Sequence, residues 1–219
     1  IVTCALALAI ATPFSLATAI FMTEISPELG KRFVQPAVEI FVGIPSVVYG
    51  WLGLTLLVPL IKDIFHLRFG FSVLAAGIVL AVMIFPTITS LAADALRSIP
   101  QGYRAASYGL GATRWQTIAK VVVPAAVTGL MTAVILGLAR AFGEALAVAM
   151  VIGKMRAFPT SILSPTNNLT AAIAADMGGA MEGSEYNIAL WTMALLLFII
   201  SLACIFAIHC LGNKGGKKA

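Results

Sequence analysis

Residues 71–93 read FSVLAAGIVLAVMIFPTITSLAA, 23 residues without one charged side chain. A helix needs about 20 apolar residues to cross about 30 Å of hydrocarbon. There every backbone N–H and C=O must find its partner inside the protein, so only helices and closed barrels span. The stretch is too long for a barrel strand and lacks period-2 alternation. It therefore predicts a membrane-spanning helix. Working outward, four more runs meet the same length: 1–22, 36–61, 125–153 and 188–211. The expected fold class is all-α and integral to the membrane, a polytopic helical bundle in a single domain over 1–219.

Composition agrees. Hydrophobic residues make up 60% of the chain and charged ones 11%, with a mean hydropathy of +1.01. Soluble domains carry roughly 25% charge, so a water-facing exterior is excluded. The net charge of +5 sits between apolar runs, with no Lys/Arg block interleaved with aromatics, and no nucleic-acid partner is expected. Cys4, Cys204 and Cys210 lie in or at the ends of apolar runs, which argues against a disulfide framework or a metal site. His66 and His209 are isolated, and no catalytic set of side chains is evident. The run that starts at Ile1 has no basic flank or small-residue cleavage site, so it does not read as a signal peptide. A fragment of a longer chain is expected.

Sidedness follows from the connections. Lys31, Arg32, Arg97, Arg104, Arg114, Lys120, Lys214, Lys217 and Lys218 fall on one side, and Lys62, Arg68, Lys154 and Arg156 on the other. The positive-inside rule puts the larger set in the cytosol. The loop 94–124 and the C-terminus are then cytosolic and the loop 154–187 external. Within the external loop, 168–180 is rich in small residues and suggests a short helix or a re-entrant piece.

The cytosolic loop is predicted to be two helices. Ser98 with Gln101 and Thr113 with Gln116 fit the S/T-x-x-E/Q capping box, and Pro100 suits a first turn. Gly109 and Gly111 supply a stop, and Pro124 interrupts entry into the next span. Trp115, Ile118, Ala119 and Val122 form an apolar stripe opposite Arg114, Gln116 and Lys120. The residues alone leave two readings: an amphipathic hairpin resting on the headgroups, or a knob seated in a cytosolic partner's groove.

This segment resembles the loop of ATP-binding-cassette (ABC) importer permeases written E-A-A-x3-G-x9-I-x-L-P. Here it stands as Ala105-Ala106-Ser107, three residues, Gly111, nine residues, Val121, one residue, Val123-Pro124. The spacing is kept and the leading acid is replaced by Ala105. The resemblance implies that Ala105, Ala106, Ser107, Gly111, Thr113, Arg114, Trp115 and Pro124 belong to the contact with a separate ATPase. ATP and Mg would then be held by that partner, and this chain, which has no P-loop sequence, would carry no cofactor and no catalytic residue.

Two further strings lie at membrane depth. Residues 43–50, GIPSVVYG, place Gly43 and Pro45 inside the second run, where they disrupt a helix. The break is either an ordinary kink or an element lining a path, with Ser46 and Tyr49 as its polar groups. Residues 137–144, GLARAFGE, put Arg140 and Glu144 four apart in the fourth run, a spacing that shares one helical face. A charge at mid-membrane costs about 2.5–3.5 kcal/mol on insertion scales, so both must face protein or water. They form a structural ion pair or a relay for phosphate, whose oxygens suit a guanidinium fork. Glu39 is a third candidate near a span end. Gly129, Ala133, Gly137, Ala141, Ala145 and Ala149 make a ladder of small side chains suited to a tight seam between helices or subunits. The run 125–153 is longer than the membrane is thick and must tilt, project or kink near Gly143.

With Gly111-Ala112-Thr113-Arg114-Trp115, these strings are similar to the phosphate-specific transport permeases, the PstC type more than PstA. The resemblance implies the type I ABC importer permease (MetI-like) fold and inorganic phosphate as substrate. It places Arg140, Glu144, Ser46 and Tyr49 along the path. It further implies a sister permease, two ABC ATPase subunits and an extracytoplasmic phosphate-binding protein, in the plasma (inner) membrane of a prokaryote. Relatives of this type have a further N-terminal span. A permease for sulfate or molybdate is the alternative within the class. A secondary transporter or channel without an ATPase is the alternative outside it, although its inverted repeats are not evident.

Overall fold

A computed structural model describes the backbone of residues 1–155 and 157–216 and the side chains up to residue 206 apart from Arg156. The side chains of Arg156, His209, Cys210, Lys214, Lys217 and Lys218 lie outside the described residues. Among those described, four helices are long and apolar enough to cross a membrane: Val2–Ile25, Ser46–Ile64, Val73–Arg97 and Glu185–Phe206. A bent pair, Arg114–Ala125 with Val127–Gly143, makes a fifth candidate. In chain order the principal helices are α1 (Val2–Ile20), α2 (Gln35–Gly43), α3 (Ser46–Leu52), α4 (Val73–Arg97), α5 (Gln101–Gly109), α6 (Arg114–Thr117), α7 (Val127–Gly143), α8 (Leu146–Val151), α9 (Leu169–Asp176) and α10 (Glu185–Gly216).

Two of the apolar runs are not single helices. The run over 36–61 divides at Ile44 and Pro45, and α3 starts afresh after Pro45 at ψ 140°. Proline fixes its own φ and has no N–H to continue a ladder, so the chain breaks outright instead of kinking. The run over 125–153 stops at Gly143 and resumes at Leu146. At its start, the chain turns by 68° between Ala125 and Val127. Pro124 cannot donate to a preceding carbonyl, and Ala126 takes φ −88° and ψ −2° at the corner.

The described chain falls into two compact units. One comprises 1–10, 44–84 and 138–204. In it Gly50 of α3 lies so close to α8 that an added Cβ would meet the Ala147 Cα at 2.8 Å. Gly53 likewise faces Val79 and Val151. The start of α4 leaves N–H groups without helical partners. The Ser72 hydroxyl accepts from the Ala75 N–H, while Val73 and Leu74 donate to the carbonyls of Ser164 and Ile162 in the 154–187 loop. That loop is thus stitched to a helix end, and its own helix α9 is capped by Asn168, whose Oδ1 accepts from the Ala171 N–H.

The other unit comprises, among the described residues, 11–43, 85–137 and 205–216. Here the small-residue ladder is spent within the chain. Gly129 lies against Ala95 and Gly137 against Ile88, both on α4, and Ala133 is fully buried. At Gly129 and Gly137 the seam is one between helices of this chain. Buried Ser15 donates to the Phe85 carbonyl, and Thr89 donates to the same oxygen. Most of the apolar stretch of Val73–Arg97 is buried, whereas almost none of that in Glu185–Phe206 is. The first is a buried helix. The second turns Trp191, Leu195, Phe198 and Leu202 outward, which suits a lipid-facing span.

Candidate functional site: a capped elbow and a pair of broken helices

The elbow lies between α4 and α7. Helix α5 begins after Pro100, which serves as N-cap without a side-chain bond. The expected capping box from Ser98 does not form: its hydroxyl donates to the Ala95 carbonyl, closing the end of α4. A hydroxyl three residues beyond a free terminal carbonyl finds that acceptor locally, before the next helix offers a donor. Helix α5 stops in a Schellman turn, with Gly111 at φ +80° donating to the Tyr108 carbonyl and Ala112 donating to that of Ser107. The left-handed torsion is why a glycine stands at this position of the motif. Helix α6 then opens with a complete capping box. The Gln116 N–H reaches the Thr113 hydroxyl at 3.3 Å, and the Thr113 N–H reaches Gln116 Oε1 at 2.9 Å.

Ser107 and Thr117 share a buried hydrogen bond of 2.9 Å that closes the two arms. Ser107 is thus an internal joint, whereas Ala105, Ala106, Gly111, Thr113, Trp115 and Pro124 are exposed. The apolar stripe expected along the second arm splits. Ile118 and Val122 are buried, but Trp115 is 68% exposed and Ala119 also faces out. From Ile118 to Val122 the chain is wound as a π-turn, which widens the angular period. Buried positions then recur at 118, 122 and 126 and leave Trp115 behind. Tyr103, Tyr108 and Leu110, the last 89% exposed, complete an outward apolar set on a polar frame.

Two arginines fix the elbow to the end of the first long helix. Arg104 Nε and Nη2 donate to the Glu24 carboxylate at 3.2 and 2.5 Å, and both side chains are largely buried. The same guanidinium donates to the carbonyls of Ile99 and Leu96. Its hydrogen bond to Glu24 holds Arg104 above the already high arginine range, so it stays protonated at every pH a cell meets. Arg114 donates to the carbonyls of Glu24 and Ile25 at 2.5 and 2.9 Å. Further along, Arg97 donates to Gln35 Oε1, and Gln35 donates to Glu39. Glu39 is thereby engaged at the start of α2.

The helices that follow the two breaks, α3 and α8, lie in the first unit. Tyr49 is buried one residue before the Gly50 contact with α8, and the charge of Arg140 reaches it. Glu144 is not on the helical face of Arg140, because α7 ends at Gly143. Its carboxylate instead accepts from the Ala147 N–H at 3.0 Å and caps α8. Ser46 opens α3, half-buried. The fold thus gathers Tyr49, Arg140 and Glu144 around the contact between α3 and α8.

The family model for the inner membrane component of binding-protein-dependent transport systems matches residues 11–212. The chain belongs to this family.

Among its relatives, the probable ABC transporter permease protein YqgH of Bacillus subtilis (strain 168) is 55% identical over 94% of this chain and 66% of its own length. The phosphate transport system permease protein PstC of Haemophilus influenzae is 36% identical over 92% of this chain and 69% of its own. The chain thus spans about two thirds of the length of these relatives. A solved MetNI methionine ABC transporter structure superimposes with a TM-score of 0.71, covering 98% of this chain and 90% of that one at 23% identity. The inner membrane component therefore has the MetI-like fold, as its sequence implied.

Glu24 and Arg104 were not among the site residues read from the sequence. Arg104 counted only towards sidedness, and Glu24 is one carboxylate near the end of an apolar run. Eighty residues separate them, and no local spacing signals a pair at that distance. An acid just beyond the end of the run 1–22, with an arginine-bearing loop on the same side of the membrane, is the cue that was present.

Proposed function

We propose that this chain is the transmembrane permease subunit of an ABC importer that moves inorganic phosphate into the cytosol. The observation that carries the phosphate reading is that the charge of Arg140, in the last turn of α7, acts on buried Tyr49, just after the break in the second apolar run. Non-helical backbone at membrane depth is tolerated against protein or a wet cavity, and a planar fork fits phosphate oxygens. Relatives named as phosphate permeases support the choice of substrate. Ser46 and Tyr49 act as polar groups along the path. Glu144, bonded to the start of α8, holds the break and keeps a negative charge near Arg140.

The elbow supports the coupling role. Leu110, Trp115, Tyr103 and Tyr108 project from a frame whose caps and internal bonds are satisfied, a surface suited to the groove of a cytosolic ATPase. The complex is a heterodimer of this chain with a sister permease, two ATPase subunits bearing ATP and Mg, and an extracytoplasmic phosphate-binding protein. It sits in the plasma membrane of a prokaryote with the elbow and C-terminus cytosolic.

Reconstitution of the complex in liposomes tests the reading. Phosphate-loaded binding protein is expected to stimulate ATP hydrolysis and sulfate-loaded protein to leave it at the basal rate. Stimulation by sulfate alone would move the assignment to another oxyanion. Uptake without any ATPase would move it to a different class of transporter. Arg140→Ala is expected to abolish uptake while leaving assembly intact, and normal uptake by this variant would remove Arg140 from the path.

A further inference from the structure

Four helices meet around the Glu24–Arg104 pair. Glu24 lies in the last turn of the Val2–Ile25 helix. Its carboxylate meets Arg104 of α5, which also binds Leu96, in the last turn of α4, and Ile99 in the connection that follows. Its backbone oxygen and that of Ile25 meet Arg114 at the start of α6. The last carbonyls of a helix have no partners of their own and carry the negative end of its dipole, so cations are suited to that place. One planar guanidinium can serve a carboxylate and two carbonyls at once, whereas an ammonium is a point donor. The Glu24 and Arg104 side chains are 8% and 12% exposed. Desolvation at that depth offsets much of the Coulomb attraction, so a pair of this kind contributes geometry more than stability.

We propose that Glu24, Arg104 and Arg114 form a rigid joint that passes displacement of the elbow to the first span. In this joint Glu24 and Arg104 are positioning residues for coupling. The inference rests on the elbow being the ATPase contact, as proposed above. Its consequence is that the elbow tip and the end of the first span move as one body.

The test uses the complete reconstituted complex. Spin labels at Gln101 on α5 and Phe21 at the end of the first span, both exposed and outside the proposed ATPase contact, are expected to keep their separation between nucleotide-free and ATP-trapped states in otherwise wild-type protein. A changed separation overturns the joint. Glu24→Gln and Arg104→Lys are expected to assemble, to hydrolyse ATP at close to the wild-type rate, and to lose about tenfold in phosphate imported per ATP. That loss is in the range of coupling free energies between sites. The double variant should be no worse than either single one, because both changes remove the same contact. Unchanged import per ATP in the single variants overturns the proposal, as do losses that multiply in the double. Glu24→Asp, which keeps the charge and shortens the reach, is read in the same way if Glu24→Gln fails to assemble. Wild-type protein that hydrolyses ATP without phosphate stimulation sinks the substrate reading, and the label separation then still decides the joint.

Discussion

The elbow at 98–124 and the α3–α8 contact are both turns away from a straight span, yet they are held by opposite means. The elbow is fixed by directional bonds: a capping box, a Schellman turn, a buried Ser107–Thr117 bond and two arginine anchors. The α3–α8 contact is fixed by shape, with Gly50 set against the Ala147 backbone. A polar frame can leave its outer surface free to bind, since its stability does not depend on what projects from it. A shape-fixed contact has no such reserve, because its outer surface and its support are the same atoms.

The largest effect expected from this difference is at Gly50. Gly50→Leu would drive a side chain into the Ala147 Cα, 2.8 Å from the Cβ position, and although the neighbouring Met150 side chain could move, that backbone cannot. A cost of about 3 kcal/mol or more is expected, at the upper end for overpacking. Size-exclusion chromatography in detergent should show loss of the folded permease, and a normal yield would break the comparison. Next comes Gly111→Val. A β-branched residue forced to φ +80° costs roughly 1–2 kcal/mol, enough to lower the melting temperature without abolishing folding.

Thr113→Ala removes one half of a capping box and should cost about 1 kcal/mol. Thr113→Ser, which keeps the hydroxyl, should restore most of it in the same melting assay. The smallest change in stability is expected for Leu110→Ser, within about 0.5 kcal/mol, because this side chain is 89% exposed. Affinity for the ATPase partner should nevertheless fall. Stability and affinity falling together at Leu110 would mean that the elbow's surface is part of its own support.

Much of this was legible because it is local. Thr113 and Gln116 sit at capping-box spacing, and the structure contains that box. Gly111 was read as a stop and adopts the torsion that a stop requires. The Ser98 box failed because a nearer carbonyl competed for the hydroxyl. The Arg140–Glu144 spacing misled because it presumed a helix that ends at Gly143. Trp115 left its stripe because five residues wound as a π-turn changed the period on which the stripe was drawn. The last two errors have the same form: a period was extended across a place where the backbone changed state.

The sequence by itself determined that the chain belongs in a membrane, since too few charges remain to cover it and its apolar runs match the bilayer. It also determined the family, because the loop's spacing and its two glycine-containing strings survive as linear patterns. Only the tertiary structure decided which charges meet. Glu24 finds Arg104 across eighty residues, and Glu144 accepts from the Ala147 N–H at the start of α8. Hydrophobic periodicity is a sum over neighbours along the chain and can be read along it. An ion pair is a single contact in space, and its partners are fixed only once the helices that carry them have packed.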